Sequence, residues 1–204
     1  MDTSALRVVD TGPLPYLLSV PVGPEPEHRA SPAERWPVLC FLHGYGEGAP
    51  TAIDRALTRH GPLRRGNASQ PSSTFVVVAP QLPQRGDLWY RHAAAVRRIV
   101  ATVQEEQHGD SRRTYLSGFS FGGNGVFDLA LSQPELWAAL WAVDPTRHKQ
   151  AFIRTLNLQP FREQPDGNRL YRDPGLNHVE TARHAYDDDQ IYRWLLSKHL
   201  PSPA

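Results

Sequence analysis

Residues 117 to 125 read SGFSFGGNG and place Ser120 among four glycines. The stretch overlaps the end of the apolar run TYLS and precedes the helix-like VFDLALSQ, so it lies between a predicted strand and a predicted helix. Such a sharp turn strains the central residue and requires small residues two positions before and after it, which Gly118 and Gly122 supply. This arrangement is typical of a turn that presents a serine as a nucleophile. We therefore predict Ser120 to be a catalytic nucleophile rather than an ordinary serine in a glycine-rich turn.

Short apolar runs on either side of this turn predict the fold. Four of them read as buried strands: Val38–Leu42, Phe75–Ala79, Thr114–Ser117 and Ala139–Val143. Between the second and third lies RHAAAVRRIVATVQEEQ, in which apolar residues recur at helical spacing: Ala94, Ile99, Val100 and Val103. Strands that alternate with helices in this way predict an open α/β sheet of mostly parallel strands flanked by helices.

The two ends of the chain add further elements. The segments RVVD and PYLLSV predict an antiparallel hairpin before the first core strand, and AYDDDQIYRWLLSKHL predicts an amphipathic final helix. We interpret the acidic run Asp187 to Asp189 as the solvated start of that helix rather than as a metal site. Because no long polar linker interrupts the 204 residues, we expect one domain over residues 1–204.

Composition restricts the classes of partner. Lys and Arg number 22 against 21 Asp and Glu, and the basic residues are scattered, so we expect neither a nucleic-acid nor a membrane partner. A small neutral molecule fits better. The single Cys40 lies in an apolar run and predicts a buried strand residue. The sequence MDTSALRVVD lacks the features of a signal peptide, so we expect a cytoplasmic protein.

A serine nucleophile needs hydrogen-bond donors for the oxyanion and a base oriented by a carboxylate. The segment CFLHGYGEG ends the first core strand and can turn back toward the serine. We predict that the backbone N–H groups of Tyr45 and Phe121 form the oxyanion hole. His43 precedes the serine in the chain and is interpreted as a structural residue that holds this loop.

Several of these segments together resemble the α/β-hydrolases, and within them the carboxylesterase, feruloyl-esterase and polyhydroxybutyrate-depolymerase-like group. The segments that carry the resemblance are WPVLCFLHGYGEG, HGPL, FVVVAPQLPQRGDLWY, RRTYLSGFSFGGNGVFDLALSQPELWAALWAV and GLNHVETARHAY. The resemblance implies a serine carboxylesterase that acts on small acyl esters, without cofactor or metal. It also implies the chain order nucleophile, acid, histidine.

That order restricts the base to the histidines after Ser120, which are His148, His178, His184 and His199. His178 follows RLYRDPGLN, a predicted last strand and turn, and precedes the final helix, where the family places its catalytic histidine on a loop. We therefore predict His178 as the base, with His184 as the second candidate.

Six carboxylates lie between Ser120 and His178: Asp128, Glu135, Asp144, Glu163, Asp166 and Asp173. Of these, Asp144 ends a predicted strand and is followed by Pro145, so it is expected at the carboxyl edge of the sheet, where sites of open α/β sheets form. Asp173 and Asp166 remain alternatives. The family usually has a further strand before the helix predicted at KQAFIRTLNLQ, so we expect a sheet shortened by one strand. Three readings stay open here: Asp144 as the acid, a Ser-His dyad, and an inactive protein.

Trp89, in a segment that resembles the family's loop beside the active site, is either a wall of the substrate pocket or a core tryptophan. The leading function is ester hydrolysis through Ser120, His178 and Asp144. The alternatives are a thioesterase or small-peptide hydrolase with the same triad, and a binding protein that keeps the turn but has no activity.

Overall fold

The computed structural model describes residues 5–22, 35–67, 71–146 and 175–201. Within these ranges six strands form one sheet: β1 (Ala5–Val9), β2 (Tyr16–Val20), β3 (Trp36–Leu42), β4 (Val76–Pro80), β5 (Gly109–Phe119) and β6 (Ala139–Val143). The α-helices of the same ranges are α1 (Ile53–Ala56), α2 (Ala93–Glu106), α3 (Phe121–Ser132), α4 (His178–Asp187) and α5 (Asp189–Leu196). Short 3-10 turns lie at Tyr45–Glu47, Pro71–Ser73, Trp89–His92 and Pro134–Leu136.

The strands are ordered β1-β2-β4-β3-β5-β6 across the sheet. Strands β4, β3, β5 and β6 are parallel, and the β1-β2 hairpin joins them through an antiparallel pairing of β2 with β4. This confirms the mostly parallel sheet and the N-terminal hairpin predicted from the sequence. The chain leaves β3 toward β4 and then returns past β3 to β5, so the strand order reverses between β3 and β5. Open α/β sheets form their ligand crevice at the carboxyl ends of such a strand pair.

Helices cover both faces of the sheet, because alternate residues of the central strands point to opposite sides. Val38, Cys40 and Leu42 of β3 belong to the core cluster that also contains the buried residues of α2 and α3. Leu39 and Phe41 belong to clusters on the other face, which contain residues of α1, α4 and α5. These five residues of β3 are at most 1% exposed. The result is a three-layer α/β/α arrangement with β3 at its centre.

Several predicted elements differ from the observed ones in extent or in face. The strand predicted at Thr114–Ser117 runs over Gly109–Phe119, because Gly109 and Asp110 also pair with β3, opposite Trp36 and Pro37, before a register shift that precedes Thr114. Pairing with a neighbouring strand thus overrides the low strand propensity of these polar residues. In α2 Ala94, one of the apolar residues that recur at helical spacing, is exposed.

The buried stripe of α2 consists of Val96, Ile99, Val100 and Val103. These four positions follow the spacing i, i+3, i+4, i+7, and Ala94 lies outside it.

The predicted final helix is two helices. Asp188 separates them and caps the second, because its side chain accepts a hydrogen bond from the N–H of Gln190 at 2.8 Å. The acidic run is predicted to be a helix start; Asp188 and Asp189 do start α5, whereas Asp187 is the last residue of α4. Asp187 also pairs with Arg64, whose Nη2 lies 2.9 Å from one carboxylate oxygen.

Several sequence predictions lie outside the described residues. They are the helix at KQAFIRTLNLQ, most of the strand at RLYRDPGLN, the missing family strand after Pro145, and the side chains His148, Glu163, Asp166 and Asp173. Among the helices that are described, none has both the length and the apolar character needed to cross a membrane.

Candidate active site

Ser120 occupies the strained turn that the glycine pattern predicts. Its backbone has φ 58° and ψ −116°, a conformation that residues other than glycine rarely adopt. A Cβ on Gly118 would lie 2.3 Å from the carbonyl oxygen of Gly122, and a Cβ on Gly122 would lie 1.8 Å from that of Leu42. Both positions therefore require glycine, because the turn brings backbone against backbone.

The sheet register brings Ser120 and Asp144 side by side. In the parallel pair β5-β6, Phe119 is opposite Val143, so Ser120 and Asp144 are the next residues on neighbouring strands. The N–H of Ser120 donates to the carbonyl of Val143 at 3.0 Å. Asp144 also has a positive φ, 39°, which aspartate tolerates better than most side chains. Strands β5 and β6 thus end at the same level of the sheet.

His178 meets this pair from the other side. Its Nδ1 lies 2.5 Å from Oδ2 of Asp144, within hydrogen-bond distance. Its ring also packs against that of Phe119, the residue before the serine, with 4.5 Å between the ring centroids. The structure therefore brings the predicted base and the predicted acid together beside Ser120.

The start of helix α4 fixes the position of His178. We expected a loop here, but His178 is the first residue of the helix. Asn177 caps it by accepting hydrogen bonds from the N–H groups of Val179 and Glu180, and the Glu180 carboxylate accepts from the N–H of Asn177 at 3.0 Å. This capping box holds the end of the helix, and with it the imidazole, in one orientation.

The alternative bases lie elsewhere. His184 is exposed on α4, about 9 Å along the helix axis from His178 and about 120° around it. His199 is exposed after α5. The fold thus directs His178 toward Asp144, and His148 lies outside the described residues.

The loop after β3 lies directly against the serine. A Cβ on Gly44 would lie 3.5 Å from Cβ of Ser120, and the rings of Tyr45 and Phe121 are in edge contact, with 5.0 Å between their centroids. Tyr45 and Phe121 are also the first residues of a 3-10 turn and of α3. The first N–H groups of a helix have no acceptor within it, so both amides can donate to a ligand. Their role as an oxyanion hole stays a prediction.

His43 is buried, and both of its ring nitrogens take part in the structure. Nε2 accepts a hydrogen bond from the N–H of Leu82 at 3.0 Å, so Nδ1 carries the proton and donates to the carbonyl of Gly44 at 2.7 Å. Burial lowers the pKa of His43 to about 4, which keeps the ring neutral at pH 7. These contacts fit the structural role predicted for it.

Trp89 lies in the core beneath the site. It is 1% exposed, and its indole N–H donates to the carbonyl of His43 at 3.2 Å. A Cβ on Gly125 of α3 would lie 2.6 Å from the Trp89 side chain, so helix and indole pack closely. A contact of Trp89 with substrate stays a prediction.

Sequence reasoning missed a buried acid-base pair next to the loop. Glu47 is 4% exposed, accepts a hydrogen bond from the N–H of Gly44 at 2.6 Å, and lies with Oε1 3.6 Å from Nε2 of His60. Burial raises the pKa of Glu47 to about 7 and lowers that of His60 to about 4. The His60 ring in turn packs on Phe119 at 5.1 Å. Glu47 lies three residues after Gly44, which is the spacing of a capping box. From this spacing the contact between the two residues could have been predicted.

A second missed contact lies beside Asp144. Nδ2 of Asn124, on α3, donates to the hydroxyl of Thr146 at 2.8 Å and ties the loop after Asp144 to the helix after Ser120. Among the described residues, no group of three or more His, Cys, Asp or Glu side chains could hold a metal ion.

Comparison with known proteins gives matches in structure alone. No family model matches the sequence, and no curated protein sequence matches it. A thermostable esterase superposes with a TM-score of 0.67 at 20% identity over 98% of this chain, which spans 64% of that esterase's length. The fluorophosphonate-binding serine hydrolase F of Staphylococcus aureus gives 0.53 at 13% identity, over 93% of this chain and 74% of that one. An acetyl xylan esterase from Aspergillus awamori gives 0.51 at 16% identity, over 70% and 52%. These likenesses and the sheet topology establish that the chain has the α/β-hydrolase fold.

Proposed function

We propose that this protein is a serine carboxylesterase that hydrolyses small acyl esters through Ser120, His178 and Asp144. The observation that carries the proposal is the hydrogen bond from His178 to Asp144 beside a serine held in a strained strand-to-helix turn. A strained backbone persists only where the surrounding structure enforces it, and such residues cluster at active sites. The esterases among the structural neighbours share the fold and are consistent with this function.

The first half of the reaction follows from the tautomer of His178. Since Nδ1–H donates to the Asp144 carboxylate, Nε2 is the nitrogen that accepts the proton of Ser120 Oγ. Oγ then bonds to the ester carbonyl carbon, and the carbonyl oxygen becomes an oxyanion that accepts from the Tyr45 and Phe121 amides. The tetrahedral intermediate collapses, the carbon–alkoxy bond breaks, and His178 returns the proton to the leaving alcohol.

Water completes the cycle. His178 takes a proton from water, the hydroxide bonds to the acyl carbon, and the bond to Oγ breaks with the proton returned to Ser120. The His178 side chain is 44% exposed, so solvent can reach it for this step. Asp144 offsets the positive charge that develops on the imidazole in both halves.

The first test is substitution of the nucleophile. Ser120→Ala should abolish hydrolysis of p-nitrophenyl acetate and mass labelling by a fluorophosphonate, because no other hydroxyl occupies the turn. Ser132→Ala is the matched control and should keep both activities, since Ser132 is exposed at the far end of helix α3 and its hydroxyl donates to the carbonyl of Leu129 at 3.2 Å. Retained hydrolysis in purified Ser120→Ala would exclude Ser120 as the nucleophile.

The base is tested by comparison within one helix. His178→Ala should abolish labelling of Ser120, whereas His184→Ala should leave it nearly unchanged, because only a base in contact with the hydroxyl activates it. The reverse result would assign the base to His184.

A panel with one acyl group tests the bond class. Oxygen esters, thioesters and p-nitroanilides of the same acid separate a carboxylesterase from a thioesterase and from a small-peptide hydrolase. We expect the oxygen ester to have the highest kcat/KM. A protein that binds but does not turn over or label with any of these compounds would be a binding protein instead.

A further inference from the structure

The loop that carries Tyr45 is held by buried groups on both sides of Gly44. On the carboxyl side, His43 donates to the Gly44 carbonyl at 2.7 Å. Because the peptide unit is planar and trans, that carbonyl and the N–H of Tyr45 point in opposite directions. His43 therefore sets the direction of the Tyr45 N–H. The N–H of Gly86 also donates to the Tyr45 carbonyl at 3.1 Å and holds the next peptide.

On the amino side, Glu47 holds the N–H of Gly44 at 2.6 Å. Gly44 has no side chain to brace it, and it lies against Ser120, where a Cβ would be 3.5 Å from Cβ of the serine. Without this contact, the peptide between His43 and Gly44 could rotate. Rotation of the His43–Gly44 peptide would also move the Gly44–Tyr45 peptide, so the N–H of Tyr45 would no longer point toward the ester carbonyl.

Burial of the Glu47 carboxyl group costs folding free energy, so a contribution to stability alone does not explain this residue. Among the described residues its buried Oε1 accepts no hydrogen bond, since Nε2 of His60, at 3.6 Å, lies beyond hydrogen-bond distance. A buried polar atom without a partner costs free energy, and in native structures it calls for an explanation such as a functional role. The Glu47 backbone is itself fixed, since Nε2 of Gln81 donates to its carbonyl at 2.9 Å.

We propose that Glu47 is a positioning residue for the oxyanion hole, acting through the Gly44 N–H to hold the Tyr45 amide in line with the ester carbonyl. This inference rests on the proposed esterase function. The proposed role depends on the length of the side chain rather than on its charge, because the side chain must bring an acceptor oxygen to the N–H of Gly44.

Two substitutions separate reach from charge. Glu47→Gln keeps an oxygen at the same distance and removes the charge, whereas Glu47→Asp keeps the charge but is one methylene too short to reach Gly44. We expect Glu47→Gln to retain more than half of the wild-type kcat. Glu47→Asp and Glu47→Ala should lose about tenfold or more in kcat with KM within about threefold, because the oxyanion forms only in the transition state.

The matched control is Asp110, a largely buried carboxylate at the amino end of β5. It accepts from the N–H of Arg112 at 2.8 Å and from Nε of Arg113 at 2.7 Å. Asp110→Ala should lower stability and leave kcat unchanged. Rates are measured with p-nitrophenyl acetate and divided by the active-site concentration from fluorophosphonate titration, so unfolded protein does not count.

The outcomes are distinct. Loss in Glu47→Asp with retention in Glu47→Gln supports the inference. Near-normal kcat in Glu47→Asp, loss in Glu47→Gln, or an equal loss in Asp110→Ala overturns it while the esterase function stands. A wild-type protein that neither hydrolyses the ester nor labels overturns both.

Discussion

Replacement of Glu47 by glutamine should make the protein more stable at high pH and leave its stability at low pH unchanged. Burial raises the pKa of Glu47 from the ordinary 4.5 to about 7. A group whose pKa is raised on folding holds its proton more tightly in the folded state. The folded state is favoured in full below pH 4.5, and that advantage is lost as the pH rises through 7.

The size of the effect follows from the pKa. A difference of about 2.5 units at about 1.36 kcal/mol per unit gives about 3 kcal/mol that wild-type protein loses between pH 4.5 and pH 8. Glu47→Gln has no charge to bury and should not lose it. For a chain of this size, about 3 kcal/mol corresponds to roughly 6 to 12 °C in Tm.

Other polar and charged groups lie near Glu47 and enter the comparison. His60, Arg59, His178 and Tyr186 interact electrostatically with Glu47. Burial lowers the pKa of His43 and of His60 to about 4, so both contribute stability that is lost as the pH falls from 6.5 to 4. Wild type and variant share these histidines, so the difference between the two proteins reports the Glu47 carboxyl group together with its coupling to His60.

The assay is urea unfolding of both proteins at pH 5, 6, 7 and 8.5, with equal m values as the condition for comparison. Glu105→Gln, at an exposed position on α2, is the control and should give a constant difference at every pH. Parallel stability curves for wild type and Glu47→Gln would refute the reasoning, because they would mean that the carboxyl group titrates in the folded protein as it does in the unfolded chain.

Two further substitutions test the turns at the sheet edge. Asp144→Asn should keep the fold, since asparagine tolerates the positive φ at this position. It should lower kcat by roughly 10³ to 10⁴, because the imidazole loses its counter-charge. Near-normal turnover would assign the acid to another carboxylate. In thermal unfolding, Gly122→Ala should destabilise the protein by more than about 3 kcal/mol, since its Cβ would lie 1.8 Å from the Leu42 carbonyl oxygen. Gly46→Ala is the control. Its Cβ would have no neighbouring atom within 4 Å, so stability should change by less than about 0.5 kcal/mol.

Local rules of chain geometry explain what the sequence could predict. Gly118 and Gly122 mark a turn that only glycine permits, so Ser120 could be identified from the spacing of its neighbours. Asp144 could be proposed because it ends an apolar run before a proline, and the register of β5 with β6 then brings it beside the serine. Such features depend on a few adjacent residues, so they can be recognised without knowledge of the tertiary structure.

What the sequence did not predict depends on contacts between distant segments. Glu47 resembles any polar loop residue until the fold buries it against Gly44 and His60. The extension of β5 to Gly109 depends on the partner strand β3, since its own polar residues favour no strand. The start of α4 at His178, by contrast, had a local signal, since Asn177 and Glu180 form a capping box around it.

The geometry of Ser120 and Asp144 fits the proposed triad, in which the strand next to the nucleophile carries the acid. Both residues leave the sheet at the same level with positive φ, and the Ser120 N–H to Val143 carbonyl bond locks the two strand ends together. The proposed nucleophile and the proposed acid thus lie on one edge of the sheet, and only the histidine must be brought to them. Helix α4 does this from the core, since Tyr186, 0% exposed, hydrogen-bonds with Ser117 of β5. The same strand therefore positions the serine directly and the base through α4, so a shift of β5 would move all three groups together rather than separate them.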